Sequence, residues 1–245
     1  LKPPHEGGTL PPYPRRNEPV ANYHSDQAYI DAMGHYLSGQ WAEAETAFVA
    51  LDQRFPDEAF IKLLRGNIAY SRGELDAAVE HYHAAVAAQP DFGNAYYKLG
   101  VCLYRMGRLE QALEAFQQVV GMGSQSHAMA QYFVGLINLF LGEDTAASEA
   151  FDGFHVSSPE SRIANFYLAQ LKIKHKDFSG ALALLEELVD ETPNFAEVHY
   201  MLGTVHYGMH DNTAAIKCFQ RALDLNPEDE RSKTKLTLLT DVQWP

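Results

Sequence analysis

Apolar residues return every three or four positions through most of this chain, and short polar breaks interrupt them at regular intervals. Near the middle, Tyr96, Leu99, Gly100 and Leu103 form one stripe and Ala112, Phe116 and Val119 the next. That spacing gives one buried face on each of two consecutive helices and does not fit strands. The breaks come in two kinds. Pro56, Pro90, Pro159, Pro193 and Pro227 stand 34, 69, 34 and 34 positions apart, and the Gly-rich turn Gly121-Met122-Gly123-Ser124 divides the long interval. Between them lie Gly39, Gly73, Gly107 and Gly142, with Lys176 and His210 at the last two equivalent places. Glycine accepts the left-handed backbone that closes a helix, whereas proline cannot continue one. A small residue precedes each midpoint by seven positions (Ala32, Gly66, Gly100, Gly135, Ala169, Gly203) and another follows by five (Ala44, Ala78, Ala112, Ala147, Ala181, Ala215). Small contacts let paired helices approach closely. The pattern predicts six helical hairpins, over 25–58, 59–92, 93–126, 128–161, 162–195 and 196–229.

A 34-residue helix-turn-helix unit resembles the tetratricopeptide repeat when it carries small residues at its eighth, twentieth and twenty-seventh positions and Pro at its thirty-second. An aromatic or Leu at the twenty-fourth belongs to the same pattern, and here it is Phe48, Tyr82, Phe116, Phe151, Leu185 and Phe219. The resemblance implies an all-α, right-handed superhelical solenoid. Departures are local: Arg65 and Lys172 stand where apolar residues are expected, and Lys176 and His210 replace the turn glycine. The segment 230–245, with Leu236 and Leu239, reads as a capping helix and tail over the last hairpin. The segment 1–24 holds six of the twelve prolines and reads as an extended arm or linker.

In such arrays the first helix of each hairpin lines the concave surface, so the resemblance points to the fifth and twelfth positions as the groove. These are Tyr29 and Tyr36, Leu63 and Tyr70, Tyr97 and Tyr104, Tyr132 and Leu139, Phe166 and Ile173, and Tyr200 and Tyr207. Tyrosine grips peptides well because it joins a large apolar face to one hydroxyl at low entropic cost. Charge sharpens the picture. The first fourteen residues of the six units hold eight basic and three acidic side chains, a net of +5, whereas the remainders hold five basic and twenty-five acidic, a net of −20. A comparatively basic, aromatic groove on an acidic protein suits an acidic or carboxylate-bearing segment. Lys98, Arg105 and Lys174 are the cations expected to orient it, the first two being seven positions apart on one helix face.

Two specialised versions of the family do not fit. The chaperone-tail clamp needs Lys at a fifth position and several Asn, but every fifth position here is aromatic or Leu and Asn67 stands alone at the ninth. The Asn ladder of sugar-transferase arms is absent from the sixth positions, Ile30, Leu64, Lys98, Phe133, Tyr167 and Met201.

Composition excludes other classes. With 46% apolar and 21% charged residues over 245 positions, the chain is globular, and a net charge of −13 disfavours nucleic acid as a partner. No apolar run reaches membrane-spanning length. The only cysteines, Cys102 and Cys218, make no disulfide framework and lean towards a cytoplasmic setting, with a processed chain of another compartment as the alternative because the first residue is Leu1. His199, His206 and His210 share a helical face but occupy packing positions, and no nucleophile elbow, phosphate loop or dinucleotide fingerprint occurs. The sequence therefore reads as a non-catalytic interaction scaffold with no cofactor and no metal, which binds an extended or helical protein segment in its groove. The alternatives are a self-associating or complex-assembly subunit, and a regulatory arm of a larger enzyme.

Overall fold

A computed structural model describes residues 23–123 and 128–240, and every regular element among them is helical. A 3₁₀ turn at Tyr23–Ser25 leads into α1 (Gln27–Leu37), α2 (Trp41–Arg54), α3 (Ala59–Ser71), α4 (Leu75–Ala88), α5 (Gly93–Arg105), α6 (Leu109–Gly121) and α7 (Ala128–Leu141). There follow α8 (Asp144–Ser157), α9 (Ile163–Lys174), α10 (Phe178–Glu191), α11 (Ala196–Gly208), α12 (Asn212–Leu225) and α13 (Glu230–Thr240). The chain divides into two compact units, 1–57 and 58–245.

The first unit is a single hairpin, α1 against α2. Its described residues begin two positions before the predicted hairpin, because Tyr23 is buried and meets Tyr29 edge-on at 5.1 Å. Arg54 near the end of α2 bonds Asp26 at 2.6 Å, and the Asp26 carboxylate also caps α1 through Ala28 N–H. Those two hydrogen bonds, with Ala28 N–H first, hold the Asp26 carboxyl below its ordinary range. The rest of the expected arm lies outside the described residues, as do residues 241–245 of the tail.

The second unit is a succession of five hairpins, α3–α4 through α11–α12, closed by α13. In four of these hairpins the contact is set by the glycine near the middle of the first helix, with Ala169 at that place in α9. A Cβ on Gly66, Gly100, Gly135 or Gly203 would come within 2.5, 2.8, 2.6 or 2.6 Å of the ring at Tyr82, Phe116, Phe151 or Phe219. Those rings are buried almost completely. Between hairpins a second ring joins the stack: Phe133 lies flat on Phe116 at 4.8 Å and Tyr167 flat on Phe151 at 5.4 Å. One aromatic thus packs on its own hairpin's glycine and on the next hairpin's sixth residue.

The midpoint turns are left-handed at Gly39, Gly73, Gly107 and Gly142, and Lys176 (φ 61°) and His210 (φ 65°) take the same backbone without being glycine. That conformation costs a side-chain-bearing residue about 1–2 kcal/mol. Both are followed by an aspartate whose carboxylate caps the next helix, Asp177 on Gly180 N–H and Asp211 on Ala214 N–H, each at 3.0 Å. The corresponding residues after the four glycine turns, Gln40, Glu74, Arg108 and Glu143, make no side-chain cap. The two irregular turns carry their own compensation.

Candidate functional site

The groove positions separate into three groups by what packs on them. Leu63 is 1% exposed, Tyr29 8% and Tyr132 9%, so these three side chains belong to the core and offer almost no surface to a partner. Tyr132 is walled in by Phe133, Phe151, Phe154 and Tyr167, and burial together with a Tyr167 hydrogen bond pushes its hydroxyl well above the ordinary tyrosine range. The fifth position is closer to the hairpin's interior than its use as a ligand contact suggests.

A second group is half-buried and already covered by the chain itself. Arg231 lies over the Tyr200 ring at 4.3 Å and Lys235 over Tyr207 at 5.1 Å, both cations supplied by α13. Arg231 also reaches Glu197, with Nη1 at 3.0 Å and Nη2 at 2.5 Å, one repeat length away in sequence. The capping helix therefore docks by putting charge on the tyrosines of α11. Phe166 stacks on Phe195 at 5.6 Å, with Ile173 packed in the same cluster, and Leu139 joins the cluster around Tyr132. In the first unit, Tyr36 contacts Trp41 and Phe48 edge-on.

The third group lies on α3 and α5. Tyr70, Tyr97 and Tyr104 are half-buried, Lys98 is partly exposed and Arg105 exposed. Phe133 gathers both α5 tyrosines, Tyr97 at 6.3 Å and Tyr104 at 5.4 Å, and burial raises the Tyr97 hydroxyl's pKa. Arg105 sits over the Tyr70 ring at 5.2 Å, so a cation from one hairpin and a ring from the preceding one form a single surface.

Ion pairing distinguishes the cations. Lys174 bonds Asp144 at 2.6 Å across the α8–α9 junction and is tied there, where the sequence expects it to orient a ligand. Lys172 is held by Asp177, Arg162 by Glu187 and Arg72 by Glu74. Lys98 and Arg105 make no ion pair with a described residue.

The residues weighed for other chemistry are accounted for locally. His199 Nε2 lies 2.8 Å from the Pro193 carbonyl oxygen, and His206 lies 4.0 Å from Asp211. Among the described residues no group of three His, Cys, Asp or Glu gathers as metal ligands, and no helix is long and apolar enough to cross a membrane. Both cysteines are free. Cys102 is buried, and burial pushes both thiols up, away from the reactive thiolate.

Family models described as tetratricopeptide repeat match residues 32–91, 63–127 and 97–154, and another with that description matches 158–239. Anaphase-promoting complex subunit 3 of Schizosaccharomyces pombe is 25% identical over 171 residues, covering 70% of this chain and 26% of that protein. Human tetratricopeptide repeat protein 7B is 29% identical over 126 residues, 51% of this chain and 15% of that protein. The chain thus spans a minor part of either relative. Among solved structures, YrrB, titled a TPR protein with an unusual peptide-binding site, superposes with a TM-score of 0.70 at 18% identity, over 77% of this chain and 96% of that one. MamA gives 0.64 at 21% identity, over 71% and 94%. These likenesses show the fold. Proteins of this kind generally mediate protein–protein interactions, and the fold is typically a non-catalytic scaffold. With matched segments running from residue 32 to 239, the chain belongs to the tetratricopeptide repeat family.

Proposed function

We propose that the protein is a non-catalytic interaction scaffold that holds a carboxylate-bearing, extended or helical segment of a partner protein against α3 and α5. Tyr70, Tyr97 and Tyr104 supply the apolar grip, and Lys98 and Arg105 set its orientation. The observation that carries this reading is a pair of cations with no ion-pair partner among the described residues, set among half-buried tyrosines on a chain of net charge −13 whose other first-helix cations are largely tied to carboxylates. An acidic protein that keeps two such cations beside aromatic rings has built a local attraction for anions. Aromatic and Arg anchors near the middle of an interface carry about 2 kcal/mol or more each.

The test is fluorescence anisotropy with a labelled peptide of alternating glutamate and leucine. Lys98→Ala combined with Arg105→Ala is expected to weaken binding roughly thirtyfold or more, the loss of the Arg anchor alone being about 2 kcal/mol or above. Both positions are solvent-accessible, so the fold should survive, and thermal unfolding checks that. Unchanged affinity in a folded variant contradicts the assignment.

The names of relatives favour a second reading. Anaphase-promoting complex subunit 3 and human superkiller complex protein 3 are named as members of complexes, which suits an assembly subunit that joins through its ends or outer surface. Mass measured by light scattering over a concentration series separates the two: a groove receptor stays monomeric until its ligand is added, and a self-assembling subunit does not.

A further inference from the structure

The second unit also carries two clefts in the same register, each between two second helices. The first, about 460 Å³, opens between α4 and α6 with Leu99 and Leu103 of α5 at its floor and Glu114 on its rim. The second, also about 460 Å³, opens between α6 and α8, where Val134, Asn138 and Glu149 stand 35 positions after those three residues. The two clefts stand one repeat apart, each where two second helices flank a first helix. At the following junction the chain bridges the corresponding positions itself, since Asn165 Nδ2 donates to Glu187, which also takes Arg162.

Charge says what fits. The helices α4, α6 and α8 contain seven Asp and Glu and no Lys or Arg. Asp76 and Asp144 are paired, with Arg108 and Lys174. Glu80, Glu110, Glu114, Glu149 and Asp152 make no ion pair with a described residue. A nucleic acid, or the acidic face of a second copy, would meet repulsion here. A cationic segment would meet attraction. The floors differ: Leu99 and Leu103 offer an apolar seat, whereas the other is polar at Asn138, whose Nδ2 donates to the Val134 carbonyl at 2.9 Å.

We propose that α4, α6 and α8 form a second interaction surface, which takes an extended, lysine- or arginine-bearing segment of a partner protein. An apolar side chain enters the first cleft, a polar one the second, and flanking cations reach Glu114 and Glu149. This surface selects the opposite charge from the one around Tyr70, Tyr97 and Tyr104, so the scaffold joins two partners of different character.

The test uses a fluorescein-labelled peptide of alternating lysine and leucine, read by anisotropy. Glu114→Gln combined with Glu149→Gln is expected to weaken it roughly three- to tenfold, the worth of two largely solvated ion pairs. Glu43→Gln combined with Asp224→Asn removes the same charge from other exposed positions and is expected to leave affinity within about twofold. Equal weakening by both pairs overturns the proposal, because attraction would then follow net charge alone. Binding that is insensitive to either pair overturns it too. Lys98→Ala with Arg105→Ala leaves this peptide's affinity intact, and the glutamate-leucine peptide ignores Glu114→Gln with Glu149→Gln, so failure of one surface is read separately from failure of the other.

Discussion

A methyl group added at Gly100 would sit 2.8 Å from the buried Phe116 ring, but at Gly34, on the exposed side of α1, it would meet nothing within 4 Å. The same substitution therefore has opposite signs. Gly100→Ala forces the ring or the helix to move, and overpacking of about 1–3 kcal/mol exceeds the helix-propensity gain. Gly34→Ala keeps only the gain, about 0.5–1 kcal/mol. Thermal unfolding of the two variants checks both. Lys176 gives a third case. Its φ of 61° suits glycine, so Lys176→Gly is expected to stabilise by about 0.5–1 kcal/mol, the relief of left-handed strain less the added freedom of the unfolded chain. Glycine at the close contacts and the irregularity of Lys176 and His210 were legible in the sequence, because each breaks or keeps a 34-residue period. The compensating caps at Asp177 and Asp211 were present as letters but become visible as caps only once the turn backbone is known.

The junctions between hairpins depend on specific charges, and that makes one of them sensitive to acid. Asp144 opens α8 and binds Lys174 at 2.6 Å and His175 at 3.3 Å at the end of α9. The hydrogen bond from Lys174 is the main cause holding its carboxyl below the ordinary value. A carboxyl whose folded pKa is depressed adds stability that is complete above the unfolded value, about 3.9, and is lost as pH falls through the folded one. The stability difference between wild type and Asp144→Asn is thus expected to be constant near neutrality and to shrink towards zero below about pH 4, as followed by denaturant unfolding across pH. A difference that grows in acid contradicts the role. At the other end, α13 is held by Arg231 on Glu197 and Tyr200. Because that guanidinium is half exposed, Arg231→Ala is expected to cost only about 0.5–1 kcal/mol, read as earlier amide exchange in α13 than in α11. Helix positions and the capping helix followed from periodicity. The covering of Tyr200 and Tyr207 did not, because it requires the approach of α13, whose cations have no counterpart in the repeat pattern.

Over the whole molecule the charge partition between first and second helices could be counted from sequence, but which charges remain available could not. Lys174 shares the sign and helix type of Lys98, yet an aspartate 30 positions earlier neutralises it. Tyr132 shares a repeat position with Tyr97, yet Phe154 and Tyr167 complete its burial. The two clefts depend on gaps between helices that no residue pattern announces. What survives packing is a cationic, tyrosine-bearing surface on α3 and α5 and an acidic, cleft-bearing one on α4, α6 and α8. Affinity for the glutamate-leucine peptide and for the lysine-leucine peptide should both fall with added salt, since each relies on exposed charges. Hydrogen exchange with each peptide bound in turn tests the central claim most directly. The account predicts that, α5 apart because it carries both Tyr97 and the cleft floor at Leu99 and Leu103, the acidic peptide slows exchange in α3 and the basic peptide in α4, α6 and α8. Protection of the same helices, α5 aside, by both peptides would contradict it.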